Sequence, residues 1–192
     1  MADTTHGIRP DLTLPEAEAA ALHRAFSAAD TVLEYGSGGS TIMAAEAGAE
    51  VWSVEADAGW AAMMQGWFKA NPCKGQAHVL HVDIGPTRDW GHPADETAIR
   101  NWPDYALKVW DMPGFLVDGR FRLGCFLTVA YRIQRPVTLF FDDYAPRATY
   151  HKTETLAMPA EMAGRMARFD LTPRSLTPDR FRAYVKALLQ PV

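Results

Sequence analysis

The feature that most constrains this chain is a glycine-rich stretch, Val32-Leu33-Glu34-Tyr35-Gly36-Ser37-Gly38-Gly39-Ser40-Thr41-Ile42. The apolar run before it, residues 31–33, predicts a short buried strand, and the composition of residues 40–46 favours a helix. Between the two, glycines allow positive φ and let a ligand approach the backbone closely, while the helix start offers free N–H groups. We therefore predict a nucleotide-binding turn between a strand and a helix. A turn of this kind can also merely join the two elements.

The spacing of the glycines separates two classes of nucleotide. The dinucleotide pattern G-x-G-x-x-G/A fits Gly36 and Gly38, but Thr41 occupies its last position, where close packing of helix and strand favours Gly or Ala. The pattern Glu34-x-Gly36-x-Gly38-x-Ser40 instead resembles the first motif of class I S-adenosylmethionine (SAM)-dependent methyltransferases. Ser40 replaces the third glycine of that motif, and it is small and able to cap the following helix. The resemblance implies SAM as cofactor, and its cationic amine suits a nearby carboxylate.

Two further strands carry acidic residues that fit this resemblance. Residues 50–55 predict a second strand ending in Glu55, 17 residues after Gly38, which is close to the spacing at which an acidic side chain binds ribose hydroxyls. Residues 77–83 predict a third strand ending in Asp83, which by resemblance would bind the adenine amine; the alternative is that it only caps a turn. The resemblance implies this set of SAM-binding residues: Glu34, Tyr35, Gly36, Ser37, Gly38, Ser40, Glu55, Ala56, Asp83, Ile84 and Asp118.

Composition limits the class of protein. The chain has 192 residues, enough for one domain with a well-buried core, and a net charge of −4. An acidic chain is a poor nucleic-acid binder because such binding depends on neutralising phosphates. A local group of arginines, at positions 120, 122, 132 and 135, is predicted to be a solvated helix face. The two cysteines form neither a disulfide framework nor a zinc site. With no signal peptide or membrane span visible, we expect a cytoplasmic protein.

Residues 85–112 form the least regular part of the sequence and contain Trp90, Trp102, Tyr105 and Trp110. A compact α/β domain rarely carries so long a connection without a function, and loops at the carboxyl edge of a parallel sheet lie where ligands bind. We predict a lid that supplies aromatic walls to the substrate pocket, with a helix over residues 101–110 that ends at Pro113. The alternative is a packed surface insertion.

Acidic residues follow two more predicted strands. A fourth strand over residues 115–120 contains Asp118, and a fifth over residues 137–141 runs into Asp142-Asp143-Tyr144. Asp118, Asp142 and Asp143 resemble the magnesium ligands of catechol-type O-methyltransferases, although the lysine base of that family has no counterpart here. Magnesium is thus a candidate cofactor. Alternatively, Asp118 orients substrate or SAM, and Asp142 or Asp143 is the general base. The candidate catalytic residues are Asp118, Asp143, Tyr144 and His151.

The predicted fold is a single Rossmann-like α/β domain over residues 1–192, a three-layer sandwich with a mostly parallel sheet of about seven strands. Residues 1–11 are predicted to be a loose tail. Residues 166–171 and 181–189 are predicted to be a final pair of strands, the last of them antiparallel, as in the resembling family. The predicted function is methyl transfer from SAM to a small molecule at a hydroxyl group. Rivals are a SAM-binding protein without catalysis, an NAD-type oxidoreductase and a methyltransferase acting on protein or nucleic acid; a homodimer is compatible with the sequence.

Overall fold

The computed structural model describes residues 8–108 and 114–191. Trp110 and the predicted helix end at Pro113 lie outside these ranges, as do the first seven residues of the predicted tail. Within the described part, the helices are α1 (Glu16–Ser27), α2 (Gly39–Ala47), α3 (Ala58–Ala70), α4 (Trp102–Leu107), α5 (Arg122–Arg132) and α6 (Pro178–Leu188). The strands are β1 (Thr31–Tyr35), β2 (Glu50–Glu55), β3 (Gln76–His81), β4 (Thr87–Arg88), β5 (His92–Pro93), β6 (Gly114–Val117), β7 (Val137–Phe141), β8 (Glu161–Ala163) and β9 (Met166–Leu171).

Seven strands form one sheet in the order β3-β2-β1-β6-β7-β9-β8. Strands β3, β2, β1, β6 and β7 are parallel to one another, whereas β9 is antiparallel to both β7 and β8. Helices cover both faces of the sheet, in the three-layer arrangement of α/β domains. This confirms the predicted mostly parallel, seven-stranded, Rossmann-like sheet with an antiparallel strand late in the chain.

The prediction for the end of the chain was wrong in one element. Residues 181–189 do not form a strand, because most of them belong to helix α6, which begins at Pro178. Proline is favoured in the first turn of a helix, where its missing N–H has no partner to lose. The partner of β9 at the edge of the sheet is instead the short strand β8, which precedes it in the chain.

The aromatic residues after β5 lie mainly in the core. Trp102 and Tyr105 of α4 are 4% and 1% exposed, and both pack against Phe121. Because these two rings face the interior, they do not form the walls of an open pocket. The part of residues 85–112 that remains a candidate lid is the hairpin of β4 and β5, where Trp90 is 77% exposed.

Residues 9–12 are attached to the domain instead of forming the predicted loose tail. The Arg9 guanidinium pairs with the carboxylate of Glu46 on α2. At the start of the same helix, a Cβ on Gly39 would lie 2.6 Å from the backbone of Leu12, so the chain passes directly over that glycine. No helix in the described ranges is long and apolar enough to cross a membrane.

Candidate active site

The glycine turn lies at the carboxyl end of β1, between β2 and β6. Gly36 has φ of 110°, a conformation that favours glycine, and its N–H donates to the carbonyl of Val54 at 2.9 Å. Gly38 has extended backbone, and a Cβ placed on it would meet no atom within 4 Å. The turn therefore presents open space at Gly38, where a ligand can approach the backbone.

Glu34 supports this turn from behind. Its side chain is 2% exposed and accepts hydrogen bonds from the hydroxyls of Ser40 and Thr41. The Thr41 hydroxyl oxygen also accepts a hydrogen bond from the N–H of Gly38 at 2.9 Å, which links Glu34 to the turn. Burial raises the pKa of Glu34 from 4.5 to about 8, despite the two hydroxyl donors. The carboxyl group thus holds the turn and the start of α2 together, a role that the sequence did not reveal for Thr41.

Glu55 is the last residue of β2, and its carboxylate accepts three hydrogen bonds. One carboxylate oxygen accepts from the Ser37 hydroxyl at 2.7 Å, and the other accepts from the N–H groups of Ala56 and Asp57. The side chain is thereby aimed at the glycine turn, and the residue is 8% exposed. Burial raises its pKa above the ordinary value, against the lowering effect of these hydrogen bonds.

Trp60, at the start of α3, also belongs to this region. The helical spacing of the large apolar residues 60, 63, 64, 67 and 68 predicts a face that packs in the core, and Met64 and Trp67 are indeed buried. Trp60 is instead 40% exposed, and its indole N–H donates to the carbonyl of Ser37 at 2.9 Å. The prediction was wrong for this residue, which lies beside the glycine turn.

The remaining predicted SAM-binding positions have other partners. The hydroxyl of the fully buried Tyr35 donates to the carbonyl of Ala106, so this residue could reach a ligand at the turn only through its backbone. Asp83 accepts a hydrogen bond from the N–H of Gly85 at 2.9 Å, as expected for the turn-capping alternative. The carbonyl of Ile84 accepts from the indole of Trp102. An adenine contact of Asp83 stays a prediction.

The β4–β5 hairpin packs over the ends of β2 and β6. The Thr87 hydroxyl donates to the carboxylate of Asp57 at 2.6 Å. A Cβ on Gly91 would lie 3.4 Å from a carboxylate oxygen of Glu55 and 3.9 Å from Cγ of Arg120, so Gly91 lies against both residues. His92, on β5, bonds through Nε2 to the guanidinium of Arg120 at 2.5 Å. These contacts place the hairpin beside Glu55, Asp57 and Arg120, and its action as a lid stays a prediction.

The three aspartates predicted as metal ligands do come together, in a cluster with arginines. The guanidinium of Arg122, which is 5% exposed as a residue, lies 3.1 Å from a carboxylate oxygen of Asp118 and 3.4 Å from one of Asp143. It also donates to the backbone carbonyl of Asp142 at 2.9 Å. Arg165 donates to both carboxylate oxygens of Asp142, at 3.0 and 2.8 Å. The burial of Arg122 corrects the prediction of a solvated helix face, and the same holds for Arg120, which is 9% exposed.

The carboxyl groups of this cluster differ in pKa. Burial, together with the neighbouring charges of Asp142 and Asp143, raises the pKa of Asp118 from 3.8 to about 7, although Arg122 opposes the shift. The pKa of Asp142 is lowered, because its hydrogen bonds with Arg165 outweigh the effect of burial. At neutral pH Asp118 is therefore the carboxyl group best placed to exchange a proton, whereas Asp142 stays ionised.

Magnesium does not fit this cluster as it stands. The carboxylates of Asp118, Asp142 and Asp143 already face guanidinium groups, and Arg147 adds a contact to Asp143 at 3.0 Å. Among residues 8–108 and 114–191 there is no group of three or more His, Cys, Asp or Glu side chains placed to hold a metal ion. The predicted magnesium site therefore finds no support in the structure.

Tyr144 and His151, the other predicted catalytic residues, lie against each other. Their ring centroids are 4.8 Å apart, and His151 Nε2 lies 3.2 Å from the carbonyl of Tyr144. The Tyr144 side chain is 3% exposed, and its hydroxyl donates to Glu154 at 2.9 Å. Both side chains thus contact other residues of the same chain, and their catalytic role stays a prediction.

Comparison with proteins of known structure identifies the family. A methyltransferase-like protein from Silicibacter pomeroyi is 45% identical to this chain, with a TM-score of 0.92, over 95% of this chain and 99% of that one. The chain belongs to the SAM-dependent methyltransferase family. Neither a scan of protein families nor a search of curated proteins finds a match.

Two more distant structures share the fold. An O-methyltransferase from Bacillus cereus, in complex with S-adenosylhomocysteine (SAH), is 13% identical with a TM-score of 0.54, over 84% of this chain and 82% of that one. A 16S rRNA N2 G1207 methyltransferase from T. thermophilus, in complex with SAM and guanosine, is 18% identical with a TM-score of 0.53; 84% of this chain is covered, but only 44% of that one. The two enzymes methylate different acceptors, so their similarity to this chain shows only a shared fold.

Proposed function

We propose that this methyltransferase-family chain is an enzyme that transfers a methyl group from SAM to a hydroxyl oxygen of a small molecule. The observation that carries the proposal is the open glycine turn at Gly38, flanked by Glu55, in a chain that is 45% identical to a methyltransferase-like protein over nearly its whole length. The net charge of −4 favours a small acceptor over nucleic acid.

The residues present fit a bound SAM. Open space at Gly38 suits the methionine end of SAM. We assign the ribose hydroxyls to the carboxylate of Glu55, an assignment supported by its fixed orientation through Ser37 and two backbone N–H groups. Glu34 acts through the turn, since its carboxyl group bonds to Ser40 and Thr41. When bound, SAM supplies an electrophilic methyl group on a cationic sulfur.

Asp118 is the proposed general base. Methyl transfer to a hydroxyl forms a carbon–oxygen bond as the carbon–sulfur bond breaks, the electron pair remains on sulfur, and the hydroxyl proton must leave. A carboxyl group whose pKa is raised to about 7 is half ionised near neutral pH and accepts that proton readily. Asp142 is less suited, because it is 1% exposed and bound by Arg165. Asp143, Tyr144 and His151 remain candidates for lining the acceptor site.

The first experiment is calorimetric titration of the full chain with SAM and SAH, with NAD as control. Micromolar binding of SAM and SAH, with none of NAD, supports the proposal and rejects the oxidoreductase. Absence of binding to SAM and SAH would overturn it. A screen of hydroxylated small molecules with radiolabelled SAM then separates an enzyme from a SAM-binding protein without catalysis, which would show affinity but no turnover on any acceptor.

A test of the base follows once an acceptor is found. Asp118→Asn should lower kcat by at least about 100-fold, the range typical of general-base removal, with a smaller effect on SAM affinity. In the parent enzyme, kcat should rise with pH through the pKa of Asp118, near 7, and the asparagine variant should lose that dependence. A variant with parental kcat would reject Asp118 as the base.

A further inference from the structure

Arg120 is a buried cation that pairs with no carboxylate in the described part of the chain. The residue is 9% exposed, its Nη1 lies 2.5 Å from Nε2 of His92, and its buried Nε has no hydrogen-bond partner. None of the ion pairs formed among residues 8–108 and 114–191 includes it. Removing a guanidinium group from water is costly unless an anion compensates. An anion bound from outside the chain would supply that compensation.

Two acidic side chains of the described residues lie close to Arg120, and both have other partners. Asp118, two residues earlier, gives its carboxylate to Arg122 at 3.1 Å. Glu55 lies on the other side of Gly91, and its oxygens accept from Ser37 and two backbone N–H groups. Within residues 8–108 and 114–191, neither carboxylate therefore forms an ion pair with Arg120.

The lowered pKa of His92 indicates that the electrostatic potential around Arg120 is positive. Its pKa is lowered by burial first and then by the charges of Arg120, Arg88, Arg147 and Arg122. A neutral imidazole accepts the guanidinium hydrogen bond through Nε2 and leaves the positive charge of Arg120 uncompensated. A positive, partly dehydrated site of this kind selects negatively charged ligands.

Arg120 lies close to the proposed base in the chain and contacts the β4–β5 hairpin. It follows β6 two residues after the proposed base Asp118, and His92 approaches it from the β4–β5 hairpin. Arg120 thus contacts the candidate lid through His92 and lies two residues from the proposed base.

We propose that Arg120 binds a carboxylate or phosphate group of the methyl acceptor, with His92 holding the guanidinium in place from the lid. The acceptor is then a small hydroxylated acid or phosphate ester. This inference rests on the proposed function, because it assigns the substrate class of the same site. The same anion chemistry could come from the methionine carboxylate of SAM, and the experiment separates the two sources.

The test compares Arg120→Met with the parent and with Arg135→Met, which removes an exposed arginine elsewhere. Calorimetry measures SAH and adenosine binding to each protein. Inorganic phosphate and salicylate, a hydroxylated carboxylate, are then titrated into the protein saturated with SAH. We expect both anions to bind the parent and the Arg135 variant, and Arg120→Met to bind them at least tenfold more weakly while its SAH affinity is unchanged.

Three results would overturn the assignment. The first is failure of the parent to bind either anion, and the second is equal anion affinity in the parent and Arg120→Met. The third is loss of SAH affinity with adenosine affinity unchanged, which would assign Arg120 to the cofactor carboxylate. The shift in melting temperature caused by phosphate without SAH, compared between parent and variant, tests the anion site even if SAM binding fails. Arg120→Met should remain folded, because it removes a buried charge that has no ion-pair partner among the described residues. Arg120→Gln, whose side chain is polar and uncharged, serves as a second variant for the same measurements.

Discussion

The backbones of Gly36 and Gly119 lie in direct contact. A Cβ on Gly36 would lie 3.0 Å from the amide nitrogen of Gly119, and a Cβ on Gly119 would lie 2.8 Å from the amide nitrogen of Gly36. The amide of Gly119 also donates to the carbonyl of Tyr35 at 2.6 Å. This approach brings the loop that carries Asp118 and Arg120 beside the glycine turn, and so joins the candidate cofactor site to the candidate base.

Gly119→Ala should therefore destabilise the fold. Its Cβ would lie 2.1 Å from the hydroxyl oxygen of Tyr105 and would also meet the backbone of Gly36, so one of the loops must move. Overpacking of this kind costs about 1–3 kcal/mol, to be measured by urea unfolding. Gly38→Ala is the matched control, because its Cβ meets open space, and it should change stability by less than about 1 kcal/mol. Equal unfolding midpoints for the two variants would contradict the close approach.

Gly38→Asp tests the cofactor site without disturbing the fold. The extended backbone and open space at Gly38 accept a side chain, so the melting temperature should stay within a few degrees of the parent. The added side chain fills the space proposed for the methionine end of SAM. Affinity for SAM should fall at least tenfold, measured by calorimetry. Gly38→Asn separates the effect of bulk from that of charge. A folded Gly38→Asp protein that binds SAM like the parent would show that the site is assigned wrongly.

The sheet was predictable from the sequence because its strands are apolar runs bounded by turns. The first, second and fifth predicted strands agree with β1, β2 and β7 to within two residues. The final helix was missed because Phe181, Tyr184 and Leu188 were interpreted as a strand. Their spacing of three and four residues, after Thr177-Pro178, equally fits a helix that begins at proline.

The polar part of the site was harder to predict. The sequence locates Asp118, Asp142 and Asp143 at one edge of the sheet, and the structure brings them together there. It does not reveal that Arg165, 23 residues from Asp142, binds that carboxylate, since such a pairing depends on the antiparallel placement of β9. Nor does the sequence indicate which arginines of the group at positions 120, 122, 132 and 135 are buried. Tertiary packing, which no local pattern encodes, decides both.

The buried Glu34 should make stability depend on pH. Its pKa is raised from 4.5 to about 8, so between these values the folded protein binds a proton that the unfolded chain releases. The stabilisation is then complete below about pH 4.5 and declines as pH rises to 8, by at most about 1.4 kcal/mol per pH unit. Glu34→Gln removes this titration, so the variant should gain stability relative to the parent between pH 6 and 8.5. Urea unfolding at several pH values measures the difference. Parallel pH profiles of parent and variant would argue against a protonated Glu34.

Magnesium should have no effect on the stability of the parent protein. A divalent ion at Asp118, Asp142 and Asp143 would have to displace the guanidinium groups that already compensate these carboxylates. Thermal unfolding with millimolar magnesium, and separately with a chelator, should give the same melting temperature, with sodium chloride at matched ionic strength as control. A rise of several degrees specific to magnesium would restore the metal site predicted from the sequence.

Arg122 should be the residue on which this acidic cluster depends most. Its buried guanidinium faces Asp118 and Asp143 and donates to the carbonyls of Asp142 and Gly119. Arg122→Met leaves buried carboxylates without compensation, which costs about 3–5 kcal/mol in comparable pairs. The loss should be greater at pH 8 than at pH 5.5, because without the arginine the carboxyl groups hold protons more tightly in the folded state than in the unfolded chain.

Arg147→Met is the control: its side chain is 46% exposed and pairs with Asp143, so we expect a loss below about 1 kcal/mol. Urea unfolding of both variants at the two pH values provides the measurement. Equal losses for Arg122→Met and Arg147→Met would show that burial does not set the strength of these pairs.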